Sequence, residues 1–316
     1  MMKILVTGGK GFIGTNLTEE LRSRGHHVLT ADIKHTPETK RTHYRCDVGI
    51  FRQLERIFEE HDDIEFVFHL AAEYGRWNGE AFYEQLWRTN CVGMKNVLLL
   101  QKQYKFQLTT FSSAEVYGDY RGEMYEALMD EIPIKQMNDY AVSKWANELQ
   151  CLNAAEMWGN EIVRIRPVNC YGPHEEYSPY RGVIPIFVYH GMFNMPVKVY
   201  QGHKRIFDYV SDTVRTIANT TEDFIPGEVY NIAAEKEIDI KYLSDLIIEE
   251  LGIDDSHITY MEEEPFTTKQ KPINCEKAKK DLDHRIEVPI EKGIPLYIEW
   301  MKKNYPGYIN HIKKKE

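Results

Sequence analysis

Residues 3–14 read KILVTGGKGFIG, an apolar run that passes directly into a glycine-rich turn. The apolar part, 3–7, has the length and composition of a short buried strand. Glycines at 8, 11 and 14 let backbone N–H groups approach a phosphate, and a helix over 15–24 would aim the positive end of its dipole at the same place. The stretch therefore predicts a strand, a phosphate-binding turn and a helix that packs closely on the strand at Gly14.

A second strand, predicted over 27–31, ends at Asp32, eighteen residues after Gly14. At this distance from the glycine turn, a carboxylate accepts hydrogen bonds from the adenosine ribose of a dinucleotide and repels a 2′-phosphate. The order strand, turn, helix, strand and acid predicts a unit that binds NAD in preference to NADP. Lys34 and Arg41 lie close to Asp32 in the sequence and would soften the exclusion of NADP.

Tyr140 stands four residues before Lys144 in a stretch with helical character. Residues four apart lie on one face of a helix, so the Lys144 ammonium could stabilise the Tyr140 phenolate. Moving a phenol pKa from about 10 to near 7 requires about 4 kcal/mol. The pair predicts a general base. Without supporting motifs, however, this spacing more often reflects a partly exposed tyrosine beside a solvated lysine.

Strands and helices alternate through the first half of the chain. This alternation predicts the α/β class, with a Rossmann-type, doubly wound parallel sheet and a ligand at the carboxyl ends of its strands. After Gly172-Pro173 the alternation loosens, which predicts a smaller second domain. Further strands are predicted over 42–46, 65–70, 107–113 and 161–168, and helices over 50–60, 82–103 and around 140–144.

The composition mainly excludes classes of function. A net charge of -10 argues against a nucleic-acid phosphate footprint. No segment is long and apolar enough to span a membrane, and Met1-Met2-Lys3 leads straight into the first strand without a signal peptide, so we expect a cytoplasmic protein. The five cysteines show neither a C-x-x-C pair nor a histidine spacing typical of zinc, so we expect reduced thiols and no metal site. The lysine-rich end, 302–316, is expected to be solvated.

These motifs, together with His69-Leu70-Ala71-Ala72, Asn90 and Ser113, resemble those of the extended short-chain dehydrogenases. This is the family of sugar-nucleotide epimerases and dehydratases, and the resemblance covers nearly the whole chain. It implies a homodimer of chains in which a Rossmann domain binds NAD and a smaller, interleaved domain binds substrate. The Rossmann domain would cover 1–172 with 206–234 returning to it, and the substrate domain 173–205 and 235–316.

The resemblance also implies which residues hold the cofactor. Asp47 and Val48 follow the third strand, where the family touches adenine, and Ala71 and Ala72 are small enough to let the cofactor pass near the sheet. The residues implied for NAD are Gly8, Gly11, Phe12, Ile13, Gly14, Asp32, Asp47, Val48, Leu70, Ala71, Ala72, Asn90, Tyr140 and Lys144.

In the family, catalysis begins with oxidation of the sugar at C4. The hydroxyl matching Ser113 hydrogen-bonds the sugar O4 together with the tyrosine matching Tyr140. The tyrosine removes the O4 proton while hydride leaves C4 for the nicotinamide, which gives a 4-keto sugar. Lys144 would hold the nicotinamide ribose.

Glu115 separates reactions within the family. A 4-keto group acidifies the C5 proton, which a carboxylate can remove as a general base. Relatives that are 4,6-dehydratases or hexuronate decarboxylases carry Glu at this position, whereas simple 4-epimerases more often carry Ser or Thr. Glu115 therefore predicts chemistry at C5. Ala114 weakens dehydration, because dehydratases usually place an acid or a hydroxyl residue there.

The remaining candidates would bind substrate. Arg181 resembles an arginine that decarboxylases use for the substrate carboxylate, and Lys269 or Lys271 would replace their second arginine. The resemblance favours a UDP-glucuronate-type decarboxylase. Alternatives are a 4-epimerase, then a 4,6-dehydratase and, from another class, a non-catalytic NAD-binding regulatory module. The other substrate residues implied are Arg205 and Asn169, near the diphosphate or sugar, and Glu73 and Arg76, beside the sugar.

Overall fold

The structure is a computed structural model that describes residues 1–35, 42–265 and 267–307 of the 316-residue chain. Arg41 and the lysine-rich end beyond residue 307 lie outside these residues. The strands are β1 (Lys3–Thr7), β2 (His27–Asp32), β3 (His43–Arg45), β4 (Phe66–His69), β5 (Gln107–Phe111), β6 (Ile162–Pro167), β7 (Cys170–Tyr171), β8 (Val197–Tyr200), β9 (Lys204–Ile206), β10 (Asp208–Tyr209), β11 (Val229–Ile232), β12 (Glu237–Asp239) and β13 (Ile258–Met261). The helices are α1 (Phe12–Ser23), α2 (Phe51–Glu60), α3 (Arg76–Ala81), α4 (Tyr83–Trp87), α5 (Gly93–Tyr104), α6 (Leu128–Glu131), α7 (Asp139–Trp158), α8 (Val183–Met192), α9 (Val210–Ala218), α10 (Ile240–Leu251), α11 (Glu276–Leu282) and α12 (Ile290–Asn304).

Seven of the described strands form one parallel sheet, in the order β3-β2-β1-β4-β5-β6-β11. Within it, Leu5 of β1 lies opposite Leu29 of β2 and Val67 of β4. The reversal of strand order at β1 is that of a doubly wound sheet, in which ligands bind beyond the carboxyl ends of the strands. The predicted α/β class and parallel sheet are confirmed.

Alternating residues of β1 face two different cores, because successive side chains of a strand point to opposite faces. Ile4 and Val6 pack with residues of α1 and α9, whereas Leu5 packs with residues of α2 and α5. None of the three side chains has any solvent exposure. The sheet is therefore covered by helices on both faces, which explains why β1 and β4 are apolar along most of their length.

The helix predicted over 82–103 is interrupted in the structure. A π-helical turn, Arg88–Val92, separates α4 from α5. Asn90 in this turn is buried and hydrogen-bonds the backbone of Glu73 and the side chain of Ser143. These partners come from distant segments, so the hydrophobic period of the helix does not reveal the interruption.

The helix α7 carries Tyr140 and Lys144 and is the longest in the described ranges. The side chain of Asn138 caps its first turn by accepting a hydrogen bond of 2.9 Å from the N–H of Ala141. Gly159 ends it in a left-handed conformation, with φ of 67°. Across the part of the chain that the structure describes, no helix combines the length and apolar composition needed to cross a bilayer.

A third core lies outside the main sheet and includes residues of α8, α10, α12 and β8. Two backbone hydrogen bonds fix the stretch before α11. Lys204 of β9 donates its N–H to the carbonyl of Lys269 at 2.8 Å, and Met124 donates to the carbonyl of Pro272 at 2.8 Å. Residues 269–272 are thereby held next to the loop that follows β5.

Candidate active site

The glycine turn after β1 has no room for side chains. Gly8 has φ of 69°, and a Cβ there would lie 2.7 Å from the backbone nitrogen of Ala71. A Cβ on Gly14 would collide with the carbonyl oxygen of Gly8. Gly11 precedes α1 and provides no side-chain cap, so the first-turn N–H groups of α1 remain available to an anion. The turn is shaped to receive a phosphate group against bare backbone.

A cavity of about 470 Å³ opens above this turn, at the carboxyl ends of the strands. Its volume is in the range of small-molecule and cofactor sites. The residues predicted to hold NAD that line it are Gly8, Gly11, Phe12, Ile13, Gly14, Asp32, Asp47, Val48, Leu70, Ala71, Ala72, Tyr140 and Lys144.

Asp32 is buried at the far end of this cavity and is held by the backbone on both sides. Its two carboxylate oxygens accept hydrogen bonds from the N–H groups of Lys10, at 3.0 Å, and Lys34, at 2.9 Å. Each oxygen retains a second lone pair. The carboxylate can therefore still accept the hydroxyls of a ribose, which fits the adenosine half of NAD.

Asn90 is not among the residues lining the cavity. Its amide accepts from the N–H of Glu73 at 2.9 Å and donates to the carbonyl of Glu73 and to the Ser143 hydroxyl, at 3.1 and 3.0 Å. Asn90 therefore holds the loop after β4 against α7, and its contact with NAD stays a prediction.

Ser113, Tyr140 and Lys144 meet at the end of β5. Ser113 precedes a 3₁₀ turn, Ala114–Tyr117, and its hydroxyl accepts the N–H of Glu115 at 3.2 Å. The Ser113 hydroxyl lies close enough to Tyr140 to lower the pKa of its phenol. Lys144 is buried and donates from Nζ to the carbonyl of Phe111 at 2.8 Å. A strand end and the first two turns of α7 thus bring the three predicted catalytic groups together.

For the protein by itself, the pKa of Tyr140 is raised, which is opposite to the direction predicted from Lys144. Burial raises the pKa of Tyr140 to about 12, although its hydrogen bond to Ser113 acts in the opposite direction. The Lys144 Nζ lies 5.8 Å from the centre of the Tyr140 ring and is engaged with Phe111. Burial also lowers the pKa of Lys144 to about 8.

Glu115 is paired with Lys271. The Lys271 Nζ lies 2.6 Å from Oε1 of Glu115, and the two side chains are 6% and 28% exposed, respectively. Burial by itself would raise the pKa of Glu115, but Lys271 and, with smaller effects, Arg76 and Arg205 outweigh it and hold the pKa at about 2. Glu115 is therefore a fixed negative charge in this arrangement.

Two arginines complete this group of charges. Arg76, in α3, donates to Oε1 of Glu264 at 2.7 Å, and Arg205, in β9, lies 3.5 Å from Oε2 of the same carboxylate. The Nη1 of Arg76 is buried and has no hydrogen-bond partner among the described residues. We call Glu115, Lys271, Arg76, Arg205 and Glu264 the charge cluster.

Other substrate candidates lie apart from the charge cluster. Lys269 has a side chain that is 59% exposed and pairs with Glu263 at 3.3 Å, so Lys271, not Lys269, is the lysine beside Glu115. The backbone bends at Lys269, and the two lysines pair with different carboxylates, Glu263 and Glu115. Arg181 lines the cofactor cavity, where its guanidinium stacks on Tyr74 at 4.0 Å.

Asn169 and Glu73 are the remaining substrate candidates. Asn169 is exposed, adopts a φ of 27° and donates to the carbonyl of Ile206 at 2.9 Å. Glu73 lines the cofactor cavity and accepts from Asn78 at 3.0 Å.

A buried network behind the site was missed by the sequence analysis. Glu148, one turn after Lys144, accepts two hydrogen bonds of 2.8 Å from Arg166 and one of 2.5 Å from Ser112. Arg166 also donates to the hydroxyl of Tyr117 at 2.8 Å. The network joins α7 to both ends of the turn that carries Glu115. Its signal in the sequence was a pair of arginines within the apolar strand β6, which require a buried acid.

A model of the NAD-dependent epimerase/dehydratase family matches residues 4–233. The chain belongs to this family. Membership confirms the resemblance to the extended short-chain dehydrogenases, and the cofactor is NAD, for which the glycine turn, Asp32 and the cavity are suited. No cluster of three or more His, Cys, Asp or Glu side chains in the described ranges is arranged to hold a metal ion.

Relatives and solved structures match along almost the whole chain. A UDP-N-acetyl-alpha-D-glucosaminuronate decarboxylase from Bacillus cytotoxicus is 29% identical over 95% of this chain and 98% of its own length. An epimerase structure from Methanothermobacter thermautotrophicus has a TM-score of 0.88 with 26% identity, and covers 98% of this chain and 94% of its own. The UDP-glucose 4-epimerase of Thermus thermophilus, solved with NAD, has a TM-score of 0.84 with 25% identity, and covers 95% and 99%.

Proposed function

We propose that this enzyme modifies a sugar nucleotide through transient oxidation at C4, with Ser113, Tyr140 and Lys144 as the oxidation centre. The names of its relatives support a UDP-sugar as substrate. The geometry supports the same step, because Tyr140 and Lys144 both line the cofactor cavity and the Ser113 hydroxyl is close enough to lower the pKa of Tyr140.

In this proposal each residue has a defined task. Ser113 and Tyr140 bind the sugar O4, and Tyr140 accepts its proton while C4 is oxidised. When bound, NAD supplies the hydride acceptor and a positively charged ring at this end of the cavity. Because burial raises the pKa of Tyr140 to about 12, the residue becomes a base near neutral pH only when positive charge is added beside it. Lys144 contributes a cation that is already buried at this point.

For the step after oxidation we propose decarboxylation of a hexuronate, of the UDP-glucuronate type. The observation that carries this choice is the unpartnered, buried Nη1 of Arg76 in the charge cluster. A buried guanidinium N–H without an acceptor is unfavourable, and a substrate carboxylate would satisfy it with a charge-assisted hydrogen bond. Arg181, across the cofactor cavity, is a second candidate for this carboxylate.

The state of Glu115 supports the same choice. Loss of CO2 from a 4-keto hexuronate leaves the electron pair of the broken C5–C6 bond on the C4 carbonyl and needs no base at C5. Dehydration does need one, and a carboxylate with a pKa of about 2 is a weak base. Ala114 supplies no acid for a departing hydroxyl.

A 4-epimerase is the second candidate, and the two epimerase structures favour it. Incubation with UDP-glucuronate, UDP-N-acetylglucosaminuronate and UDP-glucose, followed by mass spectrometry and NMR, separates the two candidates. We expect a product lighter by one CO2 from a uronate. A product of unchanged mass with a new sugar configuration would support the epimerase, and loss of water the 4,6-dehydratase. If no sugar nucleotide reduced the bound NAD, a non-catalytic NAD-binding module would be favoured.

We further propose a homodimer formed through α5 and α7. Leu99 of α5 and three residues on one face of α7, Val142, Leu149 and Leu152, are between 37% and 44% exposed. Apolar side chains at this spacing form a stripe that is expected to pack on a second copy. Light scattering of the wild type and of Leu149→Asp tests this, since the variant should run as a monomer.

Two other assignments are also part of the proposal. We propose the division into a Rossmann domain, 1–172 with 206–234, and a substrate domain, 173–205 with 235–316, which limited proteolysis between the two would test.

A cytoplasmic location is supported by five free cysteines, because thiols stay reduced in that compartment. Cell fractionation would test it.

A further inference from the structure

Lys271 reaches Glu115 from a different part of the chain. It lies in the segment that backbone hydrogen bonds fix between β9 and the loop after β5, and its side chain is only 6% exposed. The contact of 2.6 Å with Glu115 is therefore a buried, pre-arranged ion pair and not a chance surface contact. Glu115 itself is 28% exposed, so its carboxylate is the member of the pair that a substrate can meet.

The ion pair between Lys271 and Glu115 affects the chemistry at C5 of the sugar. Ser113 is two residues from Glu115 and accepts its N–H, and both residues act on the pKa of Tyr140, so the sugar carbon next to C4 would lie near the Glu115 carboxylate. Once C4 is a ketone, the C5 proton is acidic. A nearby carboxylate of ordinary or raised basicity would remove this proton. The configuration at C5 would then be scrambled before CO2 is lost.

We propose that Lys271 is the specificity-determining residue of the C5 step, because it holds Glu115 as a fixed counter-ion and so prevents removal of the C5 proton. Lys271 acts through Glu115 and is therefore a positioning residue. The inference rests on the proposed C4 oxidation but not on the identity of the final product.

The charges around Glu115 agree with this role. Burial pushes the pKa of Glu115 upward, and Lys271 provides the largest opposing effect. Arg76 and Arg205 also face Glu115, but both are shared with Glu264. On the remaining side, Tyr140 interacts with Glu115, and its own pKa is raised by burial. Without Lys271, the effect of burial on Glu115 is opposed less strongly. The pKa of Glu115 then rises, and its carboxylate becomes a stronger base.

The reaction that Lys271 suppresses is a proton exchange. The C5–H bond breaks, its electron pair moves into the C4 carbonyl as an enolate, and the proton passes to the Glu115 carboxylate. Return of a solvent-exchanged proton restores the 4-keto sugar, which is then reduced at C4 to the starting compound. No oxidant or reductant beyond the bound cofactor is needed.

The test uses the full-length holoenzyme with UDP-glucuronate in heavy water. Recovered, unreacted UDP-glucuronate is examined by mass spectrometry and NMR for deuterium at C5. The wild type should incorporate deuterium at C5 only slowly, and Lys271→Met should incorporate it on the order of 10²-fold faster, the lower range for a positioned general base. The matched control, Lys271→Arg, keeps the positive charge and should resemble the wild type.

The double variant Glu115→Gln/Lys271→Met identifies the base. It should abolish the exchange gained by Lys271→Met, and it removes both buried charges together, so it also guards against loss of folding in the single variant. Thermal unfolding checks the fold of each protein.

Two outcomes would overturn the inference. One is no deuterium at C5 in folded Lys271→Met although reduced nicotinamide forms on mixing with substrate. The other is exchange that persists in the double variant. If none of the three sugar nucleotides named above forms reduced nicotinamide with any of the proteins, including the wild type, the proposed C4 oxidation itself has failed, which is a distinguishable result.

Discussion

The cofactor cavity and the charge cluster lie near each other but are built in different ways. Around the glycine turn, the cavity is formed mainly by backbone: the turn itself, a bare helix N-terminus and the small residues after β4. The charge cluster is formed by five long side chains from separate segments, which meet only in the folded chain. The comparison suggests that the cavity is set by local geometry, whereas the outcome of the reaction is set by long-range electrostatics.

The largest effect is expected in the cavity, from Gly14→Ala. The new Cβ collides with the backbone carbonyl of Gly8, which no side-chain rotation can relieve, so we expect complete loss of bound NAD and of activity. The control is Gly182→Ala, since Gly182 has no neighbour within 4 Å and an ordinary φ of -64°. The NAD content of the purified proteins measures the result. A Gly14→Ala protein that retains NAD would show that the cavity is not set by this close packing.

Tyr140→Phe is expected to have the next largest effect. It removes the group proposed to accept the O4 proton but leaves the ring, so kcat should fall about 10²- to 10⁴-fold with NAD still bound. Full activity in this variant would remove the proposed oxidation centre. The matched control is Tyr177→Phe, a cavity-lining tyrosine outside the proposed chemistry, which should retain near wild-type kcat.

These two regions also explain what the sequence could predict. Gly8, Gly14, Asp32 and the Tyr140/Lys144 pair follow local spacing rules, and the structure brings all of them to one cavity. The rest depends on contacts between distant segments. Nothing local distinguishes Lys271 from Lys269, and only their ion-pair partners in the folded chain, Glu115 and Glu263, do so. The hydrogen bonds of Asn90 could not be predicted for the same reason, since its partners, Glu73 and Ser143, are remote in sequence.

A smaller effect, on stability, follows from the burial of Lys144. Burial lowers the pKa of Lys144 to about 8, although Cys91 and Glu148 oppose the shift and His69 across the strand stays uncharged. Between that pH and the unfolded pKa of about 10.4, the unfolded chain binds more protons than the folded one, so stability rises with pH in this window. The full contribution is about 3 kcal/mol.

The comparison with Lys144→Met isolates this contribution. Urea unfolding of the NAD-free proteins should show that the stability advantage of the methionine variant shrinks between about pH 7.5 and pH 10, by a few kcal/mol. If the difference in unfolding free energy between the two proteins stayed constant across this range, burial would not destabilise the Lys144 ammonium.

The most direct test of the division between cavity and cluster is single-turnover mixing of Arg76→Met with UDP-glucuronate. Reduced nicotinamide and released CO2 are followed together. We predict that reduced nicotinamide forms as in the wild type while CO2 release falls at least about tenfold, the loss of one hydrogen bond to a charged group. Arg52→Met, at an arginine whose side chain is 82% exposed, serves as the control. If both signals fell together, or if CO2 release were unchanged, the account would be contradicted.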